Sequence, residues 1–114
     1  MSENKTTVLI TRQGMGQADP ELQTVLMESY LRSLNDSPQK PADICFYAEG
    51  VFLVIEGSPV LHLLKLLENK GVRLTVCTTC LNYYQIADIV AVGRKATMVD
   101  IVAAQMKAQK VITI

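Results

Sequence analysis

Neither sign of charge is in excess in this chain: Lys and Arg total 11, Asp and Glu total 11, and the formal net charge at neutral pH is zero. Without a global field there is no electrostatic reason to expect nucleic acid or an anionic membrane as a direct partner. No uninterrupted apolar run approaches the roughly 20 residues that span a bilayer. Met1-Ser-Glu-Asn-Lys5 lacks the apolar centre of a signal peptide, so a cytoplasmic protein is expected. Cysteine is scarce, with 3 in 114 residues. That excludes a disulfide framework and leaves thiols that a reducing compartment keeps reduced unless they are catalytic or metal-bound. Internal repeats, low-complexity tracts and interdomain linkers are absent as well. Residues 1–114 are therefore expected to form one domain, with residues 1–6 a flexible lead-in.

What is present is enough apolar material, 49% of residues, to bury a core without covalent staples. Thr7-Val-Leu-Ile-Thr11 is β-branched and continuously apolar at its centre, the pattern of a strand covered on both faces. Asp19-Pro20-Glu21 reads as a helix start, followed by Leu22, Val25, Leu26, Tyr30 and Leu34 at the spacing of one apolar stripe. After a polar loop from Asn35 to Pro41, Asp43-Ile-Cys-Phe-Tyr47 is a second buried strand. Val51 to Ile55 fits helix and strand equally. Ser58-Pro59 starts a helix with Leu61, Leu64 and Leu67 facing the core and Gly71 as its stop, and Val72 to Val76 is the third strand. Leu81 to Ile89 reads as helical and Val90-Ala-Val92 is too short to assign. Thr97 and Asp100 form a capping-box pattern for a last helix, and Val111 to Ile114 is a closing strand. Strands alternating with helices predict an α/β fold with a mainly parallel sheet and helices on both faces.

The chemistry is concentrated in Val76-Cys77-Thr78-Thr79-Cys80-Leu81-Asn82-Tyr83-Tyr84, where the third strand gives way to a helix. Ligand sites in parallel α/β sheets gather beyond the carboxyl ends of the strands. A cysteine in the first turn of a helix, or in a Cys-X-X-Cys pair, is expected to have a depressed pKa, and the thiolate is the nucleophile. Three chemistries fit: persulfide carriage, dithiol exchange of the thioredoxin kind, and metal binding. A single Cys-X-X-Cys with His62 distant in sequence falls short of the roughly four ligands of a structural zinc, so no metal is expected. Cys45 lies within an apolar strand and is expected to be a packing residue. Gly14-Met15-Gly16 follows the first strand, and its backbone N–H groups would sit on the same sheet edge as Cys77, placed for a small anion. Asp19 stands where a dinucleotide fingerprint needs room for a pyrophosphate, so no nucleotide cofactor is expected. Glu49, after the second strand, shares that edge, as do Thr78 and Thr79 between the cysteines.

Four stretches carry a resemblance: Gly14-Met-Gly16 leading into Asp19-Pro-Glu-Leu22; Phe46-Tyr47 with Glu49-Gly-Val51; Ser58-Pro-Val-Leu61 with Leu67-Glu68 and Lys70-Gly-Val72; and Cys77-Thr-Thr-Cys-Leu-Asn-Tyr-Tyr84. In order and spacing the chain resembles the DsrE/DsrF-like family, most closely the DsrE-like C-terminal domain of YedF-type selenium-metabolism proteins. The resemblance implies a three-layer α/β/α fold of the DsrEFH-like kind with a five-stranded parallel sheet, assembled as a homo-oligomer. It also implies a sulfurtransferase-like role in sulfur relay, with sulfane sulfur carried as a cysteine persulfide in sulfur or selenium metabolism or tRNA thiolation. The family register places the acceptor thiol on Cys77, and Cys80 matches the second cysteine of the YedF-like and YchN-like branches, as resolver or second carrier. TusA-like or cysteine desulfurase-like proteins are the implied donor and acceptor, supplied separately because no TusA-like domain precedes the match. Thr78 stands where Gly is usual, and Tyr83-Tyr84 replaces an Arg-Gly. Beside the relay reading stand a non-catalytic oligomeric assembly module and a thioredoxin-like redox protein.

Overall fold

The computed structural model describes residues 5–114. Its strands are β1 (Thr6–Ile10), β2 (Asp43–Phe46), β3 (Arg73–Cys77), β4 (Arg94–Ala96) and β5 (Lys110–Thr113), and its helices α1 (Pro20–Asp36), α2 (Leu61–Asn69), α3 (Thr78–Tyr83) and α4 (Met98–Lys107). All neighbouring strands pair in parallel, in the order β4-β3-β2-β1-β5. The chain therefore steps across the sheet from β1 to β4 and returns through α4 to the far side of β1.

Strand side chains alternate between two faces. Val8 and Ile10, Ile44 and Phe46, and Leu74 and Val76 point to one face, where Met27 and Leu31 of α1, Leu63, Leu64 and Leu67 of α2, and Leu81 of α3 cover them. Leu9, Cys45 and Cys77 point to the other, where Ile101 and Ala104 of α4 meet them. One helix alone covers that second face, because the connections from β1 to β4 all pack on the first.

Several sequence expectations hold in detail. Pro20 occupies the first turn of α1, and Gly71 follows α2 with φ of 98°, the left-handed conformation that Gly adopts at low cost. The Thr97 backbone N–H donates to Asp100 Oδ2 at 3.2 Å, completing the reach-back half of the capping box. Others need correction. The buried stripe of α1 is Met27, Leu31 and Asn35, with Tyr30 and Leu34 packed beside it, whereas Leu22, Val25 and Leu26 are exposed. The apolar pattern is two-sided, and the side that docks is set by contact with α2. The segment Val51 to Ile55 belongs to a 3-10 helix, Ala48–Val54. The expected helix from Leu81 to Ile89 stops at Tyr83, because Gln85 takes a left-handed φ of 58°, and a short 3-10 turn, Ala87–Ile89, follows. Val90 makes only an antiparallel bridge to Ile55, and the fourth strand lies beyond it. Of the expected flexible lead-in, residues 1–4 lie outside the described residues. The Lys5 carbonyl accepts from the Gln109 N–H, and Thr6 begins β1.

Candidate functional site: a thiol pair at the carboxyl edge of the sheet

Cys77 is the last residue of β3 and the residue before α3, so strand passes into helix with no loop between. Its side chain shares a face with Cys45, because Cys45 pairs in register with Thr75, one alternation earlier. The two thiols, with Leu9 and Ile101, form a closed cluster in which Cys77 is 1% exposed and Cys45 is fully buried. Cys80 lies in the first turn of α3, packs against both cores, and is partly exposed. Cys80 packs against the buried cluster that holds Cys77, which brings the two thiols together at the end of β3. All three cysteines are free thiols.

The wall beside Cys80 comes from the 3-10 segment after β2. The Tyr47 N–H donates to the Ile10 carbonyl at 3.2 Å, and the Gly50 N–H donates to the Tyr47 carbonyl at 2.9 Å, clamping this segment over the end of β1. The approach is so close that a Cβ on Gly50 would lie 2.1 Å from the Ile10 carbonyl oxygen, so only Gly fits. Between those anchors Ala48 turns to φ of 52°, a left-handed conformation costly for a residue with a Cβ, and its N–H points to Cys80 Sγ at 3.1 Å. Phe52 and Tyr84 close the same junction with ring centroids 4.7 Å apart.

Burial pushes the Cys80 thiol above its ordinary pKa, the Ala48 N–H opposes that shift, and the neighbouring Cys77 thiol raises it further. The depression expected of a cysteine at a helix start is not found: burial is the largest influence on Cys80 and it acts upward. Cys45 is pushed up to about 11 by burial and by the Asp43 carboxylate. Its expected role as a packing residue is consistent with this, but its place directly behind Cys77 was not foreseen.

The other candidates divide. Glu49 follows Ala48 and is exposed; Thr78 and Thr79 form the first turn of α3, Thr78 partly buried and Thr79 exposed. The Gly14-Met15-Gly16 loop is braced on α1 instead. The Met15 N–H donates to the Gln23 carbonyl at 3.0 Å, and the Gly16 carbonyl accepts from Arg12 and Gln23. The Met15 amide is thus committed within the protein and has no proton to offer an anion. His62 is exposed on α2, and among the described residues no group of three or more His, Cys, Asp and Glu is placed to hold a metal ion.

A hollow of about 1270 Å³ opens at the opposite edge, where the strands begin, and the cysteines do not line it. Its lining includes Lys5, Lys40, Lys70, Arg73, Lys107 and Lys110, with Asp43 the one acid. Two of these lysines serve nearby carbonyls: Lys40 donates to Ser37, and Lys70 donates to the Asn35 carbonyl at 3.1 Å.

Sequence reasoning missed Ala48, whose contribution is a backbone N–H and carries no side-chain signature. Gly50 beside Glu49 was the available sign of a constrained backbone there.

A parallel three-layer α/β protein with paired thiols at the carboxyl edge of its sheet is the class these observations define. The model of the DsrE/DsrF-like family matches residues 5–114, and the chain belongs to that family. Solved structures show the same fold. A protein of unknown function, MTH1491 from Methanobacterium thermoautotrophicum, is 20% identical with a TM-score of 0.72, the match covering 98% of this chain and 100% of that one. The ychN protein from E. coli is 15% identical with a TM-score of 0.67, covering 99% and 100%. BT1422 from Bacteroides thetaiotaomicron, a conserved protein of unknown function, is 15% identical with a TM-score of 0.65, covering 96% and 95%. No curated protein sequence matches.

Proposed function

We propose that this chain is a sulfurtransferase-like carrier that holds sulfane sulfur as a persulfide on the Cys77–Cys80 pair. The observation that carries the reading is the pairing of a partly exposed thiol with a buried neighbouring one at the carboxyl edge of the sheet in a DsrE/DsrF-like fold. A thiolate of the pair attacks the outer sulfur of a donor persulfide, the donor's S–S bond breaks, and the donor leaves as a thiolate. An acceptor thiolate later attacks the same outer sulfur and frees the carrier. A thiol pushed up in pKa is a poor leaving group, which favours retention of the cargo until an acceptor docks.

Donor and acceptor are separate proteins in this reading, TusA-like or cysteine desulfurase-like, in the cytoplasm, serving sulfur or selenium metabolism or tRNA thiolation. Among the described residues no helix is long and apolar enough to cross a bilayer. The chain works as a homo-oligomer, with the exposed apolar residues Val99, Val102 and Met106 of α4 as the surface available for association.

Intact-protein mass spectrometry after incubation with glutathione persulfide tests this. The expected result is a single-sulfur adduct that dithiothreitol removes and that is absent from the Cys77→Ser/Cys80→Ser double variant. Wild-type protein that takes up no sulfur from the persulfide overturns the reading and favours a non-catalytic assembly module.

A further inference from the structure

We infer that Cys80 receives the sulfur, that the buried Cys77 resolves it, and that the left-handed Ala48 holds its N–H on Cys80 Sγ as a positioning group. The inference rests on the persulfide reading and divides its chemistry between the two thiols.

Accessibility decides the order. A donor persulfide must reach the attacking sulfur, and Cys77 is 1% exposed behind Leu9, Cys45 and Ile101, whereas Cys80 is partly open. An extra sulfur on Cys77 would also overpack a closed cluster, while one on Cys80 has a partly open site. The resemblance had assigned the acceptor thiol to Cys77, so burial reverses that assignment.

Ala48 supplies the second observation. Strained backbone persists where its surroundings hold it, and here Gly50 and the carbonyl of Ile10 do so. The result is one N–H aimed at Cys80 Sγ at 3.1 Å. An N–H donor stabilises a thiolate more than a thiol, because the hydrogen bond is then charge-assisted. It therefore favours the attacking form of Cys80 and again the thiolate left when the acceptor takes the sulfur.

Cys77 then has a defined task. It lies in the cluster against which Cys80 packs, beside the inner sulfur of the persulfide. When no acceptor arrives, Cys77–SH and Cys80–S–S⁻ give the Cys77–Cys80 disulfide and HS⁻. The bond to the outer sulfur breaks, the Cys77 proton leaves with that sulfur, the outer sulfur is reduced, and the two cysteine sulfurs are oxidised. A low-molecular-weight thiol reduces the disulfide and resets the site.

The experiment exposes the full chain, Cys77→Ser, Cys77→Ala and Cys80→Ser to glutathione persulfide, removes the donor, and follows adduct mass and hydrosulfide release. The expected result is adduct on wild type and on both Cys77 variants, none on Cys80→Ser, and, once the donor is removed, conversion of the adduct to hydrosulfide and an internal disulfide in wild type alone. Adduct on Cys80→Ser that is lost in both Cys77 variants overturns the order while leaving the carrier reading intact; no adduct on any form overturns the carrier reading itself. For Ala48, replacement by lactic acid removes the N–H and keeps the methyl group, while Ala48→Gly keeps the N–H and relieves the strain. In the Cys77→Ala background, with folding checked by circular dichroism, the ester should lower the neutral-pH alkylation rate of Cys80 about tenfold and move its pH profile upward, and Ala48→Gly should stay within about twofold. An ester variant with an unchanged profile overturns the role of Ala48.

Discussion

The two faces of the sheet are built differently, and the difference shows where a small fold places reactive groups. On one face hydrocarbon from the strands interlocks with α1, α2 and α3 around Phe46, Ile10 and Ile44, all fully buried. On the other, α4 alone covers the strands, and beneath it lie Cys45, Cys77 and the buried Thr7, whose hydroxyl donates to the Ala104 carbonyl at 3.2 Å, with Cys80 at the margin. The first face is positioned to carry most of the stability. The second tolerates polar and polarisable groups, and its edge at Cys80 opens to solvent.

The largest expected effect tests that division directly. Phe46→Ala empties the three-helix side and should cost about 3–5 kcal/mol, while Ile101→Ala, under the single helix, should cost nearer 2 kcal/mol because α4 can settle into the space. Urea denaturation of both variants measures the contrast. Equal losses would mean that the thiol face is packed as tightly as the other and that its chemistry has no structural latitude.

Most of that architecture was legible in the sequence, because burial on both faces leaves continuous apolar runs such as Val8-Leu9-Ile10, and because Pro20, Gly71 and the Thr97–Asp100 pair mark helix ends by local chemistry. The cysteine pair was legible for the same reason: its place follows from where β3 ends. Two things were hidden. The face that α1 buries was misjudged because apolar residues occupy both its sides, and only packing against α2 chooses between them. The pKa of Cys80 was expected to fall, since position at a helix start is visible in sequence while burial in the folded chain is not.

The buried thiol of Cys45 sharpens the comparison through pH. Its pKa rises from 9.0 to about 11, so in this range the folded chain binds a proton that the unfolded chain has released. Stability is full below pH 9 and falls as pH rises toward 11, by about 2–3 kcal/mol at most. Thermal unfolding of wild type and Cys45→Ala from pH 8 to about 11 should show a smaller decline in the variant. An identical decline in both would place the lost stability in other groups and leave Cys45 no part in the thin face's sensitivity.

The outer side of α4 should give the smallest effect on folding. Val99, Val102 and Met106 recur at helical spacing, and Val99 and Met106 are about four-fifths exposed. Nothing inside the protein needs Val102 to be apolar, so Val102→Asp should change the melting free energy by no more than about 0.5 kcal/mol. If a second copy covers this stripe, the same substitution buries an unpaired carboxylate at the contact and should convert an associating wild type into a monomer in sedimentation velocity. A wild type that remains monomeric at high concentration would mean that the thin face stays uncovered, and that the thiol edge is built by one chain alone.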